Sequence, residues 1–406
     1  MFDLIVRRAR LRAGGTRDIG IAGGRIAAIA ERLDRDAGEV VDAAGRLVTE
    51  SFVNPHLHLC KVWTAAMIDD AAMQAYHGDG MANAASAIDL AARVKANYDE
   101  SWITPNARRA VALAARHGNL HIRALADVDT KARLEGVKAL LKVREEFRGI
   151  VDVQVVAFAQ DGIVREPGAE RLLREAMALG ADVVGGIPWI EADDADRAEH
   201  VRVCFDLARE FDADVSMLLD DAGDAQLRTL ELMARAAIAR GWEGRALAHH
   251  CRAMALYDDA YLAKLVPLLK RARVPVVTDP HTGPLHARVR ELLANGVTVC
   301  VGQDDISDAY YPFGRNNMLE VAFLAAHLLW MTTRTDMERL YDMVTVAAAR
   351  AINLAEYGLA VGSRANLVVL DAPDVLEALR DHAPPAHVIS HGKLVDAARM
   401  RALAAA

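Results

Sequence analysis

The fold is decided by the segment Leu47-Val48-Thr49-Glu50-Ser51-Phe52-Val53-Asn54-Pro55-His56-Leu57-His58-Leu59. It is a largely apolar run, which predicts a buried β-strand. In a doubly wound open sheet the first strand is usually followed by a glycine-rich phosphate-binding turn. This strand ends in His-Leu-His instead, so we interpret it as the first strand of a barrel.

Strand-like and helical segments alternate from this point to about residue 350. The eight strand candidates are 47–59, 120–129, 151–160, 183–189, 214–221, 245–251, 274–280 and 297–305. Eight strands alternating with helices predict an α/β fold of the (β/α)8 TIM-like barrel type. Thr104-Pro105 predicts the start of the first helix after strand one, since proline is favoured at the first helical position.

Both ends of the chain are rich in short strand candidates. Gly23-Gly24 lies between two of them and predicts a hairpin. Neither end carries enough apolar surface for a stable sheet of its own. We therefore expect a small β-sandwich built from both termini, residues 1–50 plus 355–406, beside a barrel of residues 51–354. Two independent β-appendages are the alternative.

Composition excludes several classes of protein. The 406 residues are 53% hydrophobic and 26% charged, with a net charge of −8, so we expect no nucleic-acid partner. No stretch approaches about 20 uninterrupted apolar residues, which argues against a membrane span. Four cysteines in so long a chain do not form a disulfide framework, and a reducing, cytoplasmic location is the default. A symmetric homo-oligomer is the default assembly.

The last residues of three predicted strands could bind a metal ion. His56 and His58 are two residues apart and point to the same side of strand one. Strand six ends in His249-His250, of which alternation allows only one to face inward. Strand eight ends in Asp304-Asp305, where a helix cap is the structural alternative. Because active sites of barrels lie at the carboxyl ends of the strands, these residues together predict a metal site of nitrogen and oxygen ligands.

The chain resembles the amidohydrolase superfamily, in the branch that contains cytosine deaminase and N-isopropylammelide isopropylaminohydrolase. The resemblance covers nearly the whole chain. Its carriers are residues 52–59, 155–162, 179–188, 304–314 and 360–370. It implies a metal-dependent hydrolase barrel completed by a terminal β-sandwich.

The resemblance also implies one divalent metal ion, Zn²⁺ or Fe²⁺, with Mn²⁺ also compatible with such ligands. The metal ligands carried over are His56, His58 and Asp304. His250 matches the strand-six histidine, which lies close to the metal and its water, and is expected to ligate the metal or to stabilise the attacking oxygen. Asp304 is also the expected proton carrier for the attacking water. Asp221 matches the position of a catalytic glutamate that protonates a ring nitrogen.

Further matches concern the substrate. Gln160 and Asp305 match residues that bind the heterocycle in cytosine deaminase, and Lys61 matches a lysine of the isopropylammelide enzyme. Trp189 and Tyr310 could stack on a planar ring, although packing at the rim explains them equally well. The expected partner is a small N-heterocyclic molecule.

Strand five departs from the family pattern. Residues 214–221 contain no histidine, and Leu218 occupies the position of a ligand. Three consequences stay open: His250 completes the metal shell, Asp220 or Asp221 replaces the missing ligand, or metal binding is weakened or lost. Cys60, where relatives carry aspartate, is either a further ligand or a small buried residue.

The sequence therefore predicts a hydrolase that cleaves a C–N bond of a small N-heterocycle, by deamination or amine release. A non-catalytic protein of the same fold that has lost full metal binding is one alternative, and a hydrolase of a cyclic amide is another. Residues 61–80 follow strand one and form either a substrate lid or an ordinary amphipathic surface helix. They include Trp63, Met67, Asp69, Asp70, Met73, Tyr76 and His77.

Overall fold

The centre of the molecule is a parallel sheet of eight strands, seen in a computed structural model that describes residues 1–68 and 93–405. The strands follow one another in chain order, and we number them barrel strands 1 to 8. They are Phe52–Leu57, Asn119–Asp127, Asp152–Ala159, Val183–Gly186, Asp214–Leu219, Ala246–His250, Val276–Thr278 and Val299–Val301.

The barrel closes between its last and first strands. Leu57 and Asp304 form a parallel bridge. The His58 amide donates to the Asp304 carbonyl at 2.8 Å, and the Asp304 amide donates to the His56 carbonyl at 3.0 Å. The predicted (β/α)8 barrel is thus confirmed.

Helices connect the strands and cover the outside of the barrel. Those that follow strands 1 to 8 in turn are Glu100–Arg116, Glu135–Glu146, Ala169–Ala178, Asp194–Glu210, Thr229–Arg240, Asp259–Ala272, Val289–Ala294 and Met318–Leu328. Four more helices come later in the chain: Arg334–Met343, Val346–Ala351, Val375–Asp381 and Ala397–Ala405. The helix Val346–Ala351 packs against inward residues of the barrel base, among them Val53, Leu247 and Cys300.

Two predicted boundaries were wrong. The first connecting helix begins at Glu100, before Thr104-Pro105, because the Asp99 side chain caps it by accepting from the Ser101 amide. The predicted strand 47–59 is two strands. Val48–Glu50 pairs with Leu367–Val369 outside the barrel, and only the second part, from Phe52 onward, enters the barrel.

Both ends of the chain form a β-sandwich beside the barrel. One sheet contains Phe2–Arg10, Thr16–Ala22, Arg25–Ala30 and Ala37–Asp42. The other contains Val48–Glu50, Leu367–Val369, His387–Ser390 and Lys393–Leu394.

The two sheets share one apolar core. Leu4, Ile19 and Ile21 from the N-terminal end pack with Leu367 and Ile389 from the C-terminal end. This common core confirms a sandwich built from both termini and excludes two independent appendages. The domain boundaries at residues 50/51 and 354/355 stay predictions.

The predicted hairpin is also present. Gly23 and Gly24 have φ of 58° and 75°, and the strands on either side pair antiparallel. Two consecutive positive φ angles are those of a type I′ turn, which glycine adopts without steric cost.

Two expectations from composition can be checked directly. All four cysteines are buried and free. Among the described residues, no helix has the length and apolar character needed to cross a bilayer.

Candidate metal and substrate site

The mouth of the barrel brings Asp304 against two histidines of strand 1. His56 and His58 point to the same side, and the strand 1–strand 8 bridge fixes Asp304 opposite them. Gly302 allows this approach, because a Cβ there would lie 2.7 Å from the His56 Cβ. Asp304 Oδ1 lies 2.9 Å from His56 Nε2 and 3.8 Å from His58 Nε2.

Both histidines of strand 6 are buried in the same region, which corrects the expectation that only one faces inward. His249 pairs in register with Leu218, a residue that lines the cavity, so it lies on the inner face of the strand. His250 would point outward in an extended strand, but its backbone has φ of 64°, in the left-handed region. Its Nε2 atom therefore reaches 3.9 Å from Asp304 Oδ1.

His56, His58, His250 and Asp304 form what we call the His/Asp cluster. All four side chains are buried. Ligand atoms of His56, His250 and Asp304 lie within 4.8 Å of one another, and so do those of His58, Asp304 and Asp305. The N···O separations of 2.9 to 3.9 Å bracket the separation of about 3.3 Å expected between two ligands of one tetrahedral ion.

Unpartnered nitrogen atoms support the same interpretation. His56 Nε2 and His58 Nδ1 are buried and make no hydrogen bond of normal geometry within the described part of the chain, although His56 Nε2 lies 2.9 Å from Asp304 Oδ1. Buried polar atoms are normally satisfied, so each such atom calls for an explanation. A divalent ion would satisfy His56 Nε2, and the residues present fit such an ion.

The cluster has a mixed electrostatic environment. Burial, assisted by the Lys61 charge, holds the pKa of His58 well below its usual value. Burial also lowers the pKa of His250, but the carboxylates of Asp221, Asp279 and Asp304 outweigh it and raise the pKa to about 9. Burial raises the pKa of Asp304, yet His250 and His56 outweigh it, so that the pKa lies well below the usual range.

Strand 5 contributes no side chain to the cluster. Leu218 lines the cavity as an apolar wall. Asp221 also lines the cavity, and its Oδ1 atom accepts from Arg252 Nη1 at 2.6 Å. Asp220 binds Thr229 and Tyr257 instead, so its carboxylate supports the outside of the barrel. Of the two aspartates considered as replacement ligands, only Asp221 therefore faces the cavity.

Cys60 lies away from the cavity. Its Sγ atom is 3.5 Å from Tyr98 Oη and accepts a weak hydrogen bond from the Asp127 amide. Burial raises the pKa of this thiol to about 12. These contacts favour the interpretation of Cys60 as a small buried residue.

The residues predicted to bind substrate line one cavity at the barrel mouth. The cavity encloses about 480 Å³ of empty space, part of it open to solvent. Its walls include Lys61, Gln160, Asp305, Trp189 and Tyr310. The carboxyl ends of the barrel strands thus bring together residues that are up to 249 positions apart in the chain.

Contacts within the cavity orient several of these groups. Lys61 Nζ donates to Gln160 Oε1 at 3.1 Å and lies 4.6 Å from the centre of the Tyr310 ring. The carboxylates of Asp127, Asp305 and Asp308 raise the pKa of Lys61 although burial lowers it, so the side chain is charged. Burial, together with the charges of Asp304 and Asp308, raises the pKa of Asp305 well above its usual value.

Sequence analysis did not single out three groups near the cluster. Arg252 and Thr282 line the cavity, and Thr282 Oγ1 donates to Asp304 Oδ2 at 2.8 Å. Asp279 lies behind His250, with a carboxylate oxygen 2.8 Å from Nδ1. All three follow strand ends, which was the only signal available in the sequence.

The described part of the predicted lid is well anchored. Lys61 and Thr64 are buried, and the Trp63 amide donates to the Ile306 carbonyl at 2.9 Å. Asp69, Asp70, Met73, Tyr76 and His77 lie outside the described residues. Whether the segment is a lid or a surface helix therefore stays a prediction.

Comparison with known proteins assigns the chain to a family. The model of the amidohydrolase family matches residues 39–396. The chain belongs to the amidohydrolase family. It is 31% identical over 402 residues to N-isopropylammelide isopropyl amidohydrolase of Pseudomonas sp. (strain ADP), with 97% of each chain covered.

Two solved structures of the amidohydrolase fold are similar over almost the full length. The 5-methylcytosine deaminase of Klebsiella pneumoniae, liganded with 5-fluorocytosine, has a TM-score of 0.87 and 33% identity, with 97% of each chain covered. The N-isopropylammelide isopropylaminohydrolase of Burkholderia multivorans has a TM-score of 0.86 and 30% identity, covering 97% of this chain and 98% of that one. The predicted family, fold and hydrolase class are confirmed.

Proposed function

We propose that this amidohydrolase is a metal-dependent enzyme that hydrolyses a C–N bond of a small N-heterocycle, releasing ammonia or an amine. The observation that carries the proposal is the position of the His/Asp cluster: His58, His250 and Asp304 line a cavity whose walls also carry aromatic and hydrogen-bonding side chains. The names of the similar proteins, which act on ammelide and cytosine derivatives, support the substrate class.

The proposed metal ligands are His56, His58, His250 and Asp304. Three imidazoles and one carboxylate suit Zn²⁺, Fe²⁺ or Mn²⁺. When bound, such an ion lowers the pKa of its water from 15.7 to about 7, which makes hydroxide available at neutral pH. Leu218 stands where the family has its strand-5 ligand, so we assign the fourth coordination position to His250. A carboxylate oxygen of Asp279 lies 2.8 Å from His250 Nδ1 and orients the ring.

Asp304 is the proposed proton carrier. Its Oδ2 atom accepts a hydrogen bond from Thr282, which fixes the carboxylate plane while Oδ1 faces the three histidines. The low pKa of Asp304 keeps the carboxylate ionised in the free enzyme and ready to take a proton from the attacking water. The same carboxyl group then gives this proton to the leaving nitrogen.

The cavity walls orient the ring. Gln160 Oε1 accepts a hydrogen bond from Lys61 Nζ. The amide NH₂ group of Gln160 is therefore available to donate to an acceptor such as a ring carbonyl. Trp189 Nε1 is buried, lines the cavity and has no hydrogen-bond partner among the described residues. Asp305 supplies a carboxyl group for a ring N–H or ring nitrogen, and the Tyr310 face covers the ring.

Asp221 is the proposed donor to a ring nitrogen, in the position of the family glutamate. Burial, with the nearby carboxylates of Asp279 and Asp304, raises the pKa of Asp221 against the opposing charges of Arg252 and His250. A raised pKa is the direction that a proton donor needs. Its contact with Arg252 fixes the side chain at the cavity wall. Asp is one methylene shorter than Glu, so this role requires the substrate to lie closer to strand 5.

Metal analysis followed by a substrate screen tests the proposal. The purified chain is loaded with Zn²⁺, Fe²⁺ or Mn²⁺ and its metal content is measured. Cytosine, 5-methylcytosine, N-isopropylammelide, pterin and related rings are then assayed by ultraviolet absorbance and by ammonia or amine release. We expect about one ion per chain and metal-dependent turnover of at least one ring. A chain that binds no ion after loading would instead support the non-catalytic alternative.

A further inference from the structure

A chain of three buried polar side chains lies directly behind His56. His56 Nδ1 is 2.6 Å from His249 Nδ1, and His249 Nε2 is 2.5 Å from Ser216 Oγ. The exposed fraction is 1% for His56 and 0% for His249 and Ser216. The two imidazole rings are 4.5 Å apart at their centres and inclined by 61°.

The barrel itself aligns these groups. Strands 5 and 6 pair with Leu218 opposite His249 and Ser216 opposite Leu247, so Ser216 and His249 share the inner face of the barrel. His56 reaches the same place from strand 1. His249 is not part of the cavity wall formed by His58, His250 and Asp304. Its side chain is hydrogen-bonded to the cluster through His56.

The contact between two Nδ1 atoms restricts the hydrogen positions. One nitrogen must donate and the other must accept, since two bare nitrogens at this distance would repel each other. A metal ion on His56 Nε2 requires that atom to carry no proton, which places the His56 proton on Nδ1. His249 Nδ1 is then the acceptor, and the His249 proton lies on Nε2 and is donated to Ser216 Oγ.

We propose that His249 and Ser216 are positioning residues that fix the ring orientation and tautomer of His56 for metal binding. The inference rests on the proposed metal site. Residues that hydrogen-bond the second nitrogen of a ligating histidine commonly change metal affinity by about 10- to 100-fold when they are removed. In this chain, a second histidine and a serine provide that support instead of a carboxylate.

Zinc affinity of purified variants, measured by competition with a chromophoric chelator, tests the inference without any substrate. His249→Leu removes the acceptor for His56 Nδ1, and we expect zinc binding about 10- to 100-fold weaker than in the wild-type chain. His249→Asn keeps an oxygen near the position of Nδ1 and should retain most of the affinity. Ser216→Ala leaves His249 in place but removes the hydrogen bond that orients its ring, and should weaken zinc binding several-fold.

Thr278→Val is the matched control. Thr278 is buried on barrel strand 7, and its hydroxyl has no hydrogen-bond partner among the described residues. The substitution keeps the shape of the side chain and should leave zinc affinity unchanged. Circular dichroism and thermal unfolding of the metal-free variants establish that each is folded. If His249→Leu fails to fold, the zinc affinity of Ser216→Ala and the histidine protonation pattern of the wild-type chain still decide the question.

Nitrogen NMR of ¹⁵N-histidine-labelled, zinc-loaded protein gives a second readout. We expect His56 protonated on Nδ1 and His249 protonated on Nε2. A His249 proton on Nδ1, or zinc affinities equal to wild type in His249→Leu and Ser216→Ala, would overturn the inference and leave the proposed function intact. A wild-type chain that binds none of Zn²⁺, Fe²⁺ and Mn²⁺ would contradict the proposed function and, with it, this inference.

Discussion

The two ends of the barrel use buried charge in different ways. At the base, Arg123 donates to Gln154 at 2.9 Å and to Asp214 and the Ile352 carbonyl at 3.3 Å each, so its charge ties strands to a later segment. At the mouth, Asp304 and Asp305 are adjacent, yet their surroundings shift their pKa values in opposite directions. Pairs of titratable groups separated in this way are typical of acid–base catalysis.

The difference between base and mouth indicates which buried polar groups stabilise the fold and which take part in catalysis. Asp214 at the base also accepts from Arg245 and Asn353, so donors surround it on several sides. His56 Nε2, Asp305 Oδ1 and Trp189 Nε1 at the mouth are buried without a hydrogen-bond partner among the described residues. Substitutions at the base should therefore change the free energy of unfolding, and substitutions at the mouth should change turnover.

The largest expected effect is that of Asp304→Asn. The amide keeps the shape of the side chain but cannot accept a proton from water, so kcat/KM should fall by at least about 10³-fold. Turnover of the best substrate from the screen is the measurement, with thermal unfolding as the check on folding. Asp224→Asn, at an exposed carboxylate after strand 5, is the control and should be neutral. Near-normal rates in Asp304→Asn would remove Asp304 from the proposed proton path.

Arg123→Met should affect stability alone. It removes the cation of a buried ion pair but leaves Asp214 with Arg245, so we expect the free energy of unfolding to fall by about 3 kcal/mol. Denaturant unfolding measures this loss, while zinc affinity and kcat/KM should stay within about twofold of wild type. Arg108→Met, which removes an exposed pair with Glu146, should cost less than about 1 kcal/mol. A selective loss of zinc affinity in Arg123→Met would break the comparison between base and mouth.

The fold could be predicted because its signals are local. Apolar runs of strand length alternate with helical segments, and each run is visible in the sequence without knowledge of its neighbours. The error at the first barrel strand occurred where a tertiary contact decides the boundary. Residues 48–50 leave the barrel because they pair with Leu367–Val369, more than 300 residues away, and no local pattern shows this.

The candidate site was predictable to the extent that strand alternation applies. His56 and His58 follow the rule, and Asp304 follows from the position of strand 8. His250 reaches the cluster only because its φ is positive, which alternation cannot predict. The pairs Asp221–Arg252 and Ser216–His249 join strand 5 to residues more than 30 positions later, so only the register of the strands reveals them.

The pH dependence of stability offers a smaller effect at the base. His117 follows the first connecting helix, and burial, with the charges of Arg315 and Arg116, lowers its pKa to about 4. The unfolded chain takes up a proton near pH 6.5, whereas the folded chain resists it until about pH 4. The contribution of His117 to the free energy of unfolding is therefore at its maximum above pH 6.5. It decreases by at most about 3 kcal/mol as the pH falls from 6.5 to 4.

His117→Gln isolates this contribution. Unfolding free energies of wild type and variant are measured from pH 7.5 to 4, and the advantage of the wild type should shrink as the pH falls. Zinc affinity at pH 7.5 should be the same in both proteins, because His117 lies at the base of the barrel. A difference between the two proteins that is constant with pH would show that the pKa of His117 is the same in the folded and unfolded chains.

Asp305→Asn sharpens the comparison at the mouth, with the smallest expected effect. Since the pKa of Asp305 is raised, the folded chain binds more protons than the unfolded chain above pH 3.8, and the group destabilises the fold at neutral pH. The amide removes this cost, so the free energy of unfolding should stay constant or rise by about 1 kcal/mol. Loss of one hydrogen bond to the substrate should at the same time raise KM about tenfold, with little change in kcat.

Asp308→Asn is the matched control for this last prediction. Asp308 belongs to the same buried carboxyl pair but accepts from the Tyr310 and Tyr311 amides and is not part of the cavity wall. It should change the melting midpoint without raising KM. An unchanged KM in Asp305→Asn would mean that this carboxyl group supports Lys61 rather than the substrate. In that case the mouth of the barrel would contain both groups that stabilise the fold and groups that bind substrate.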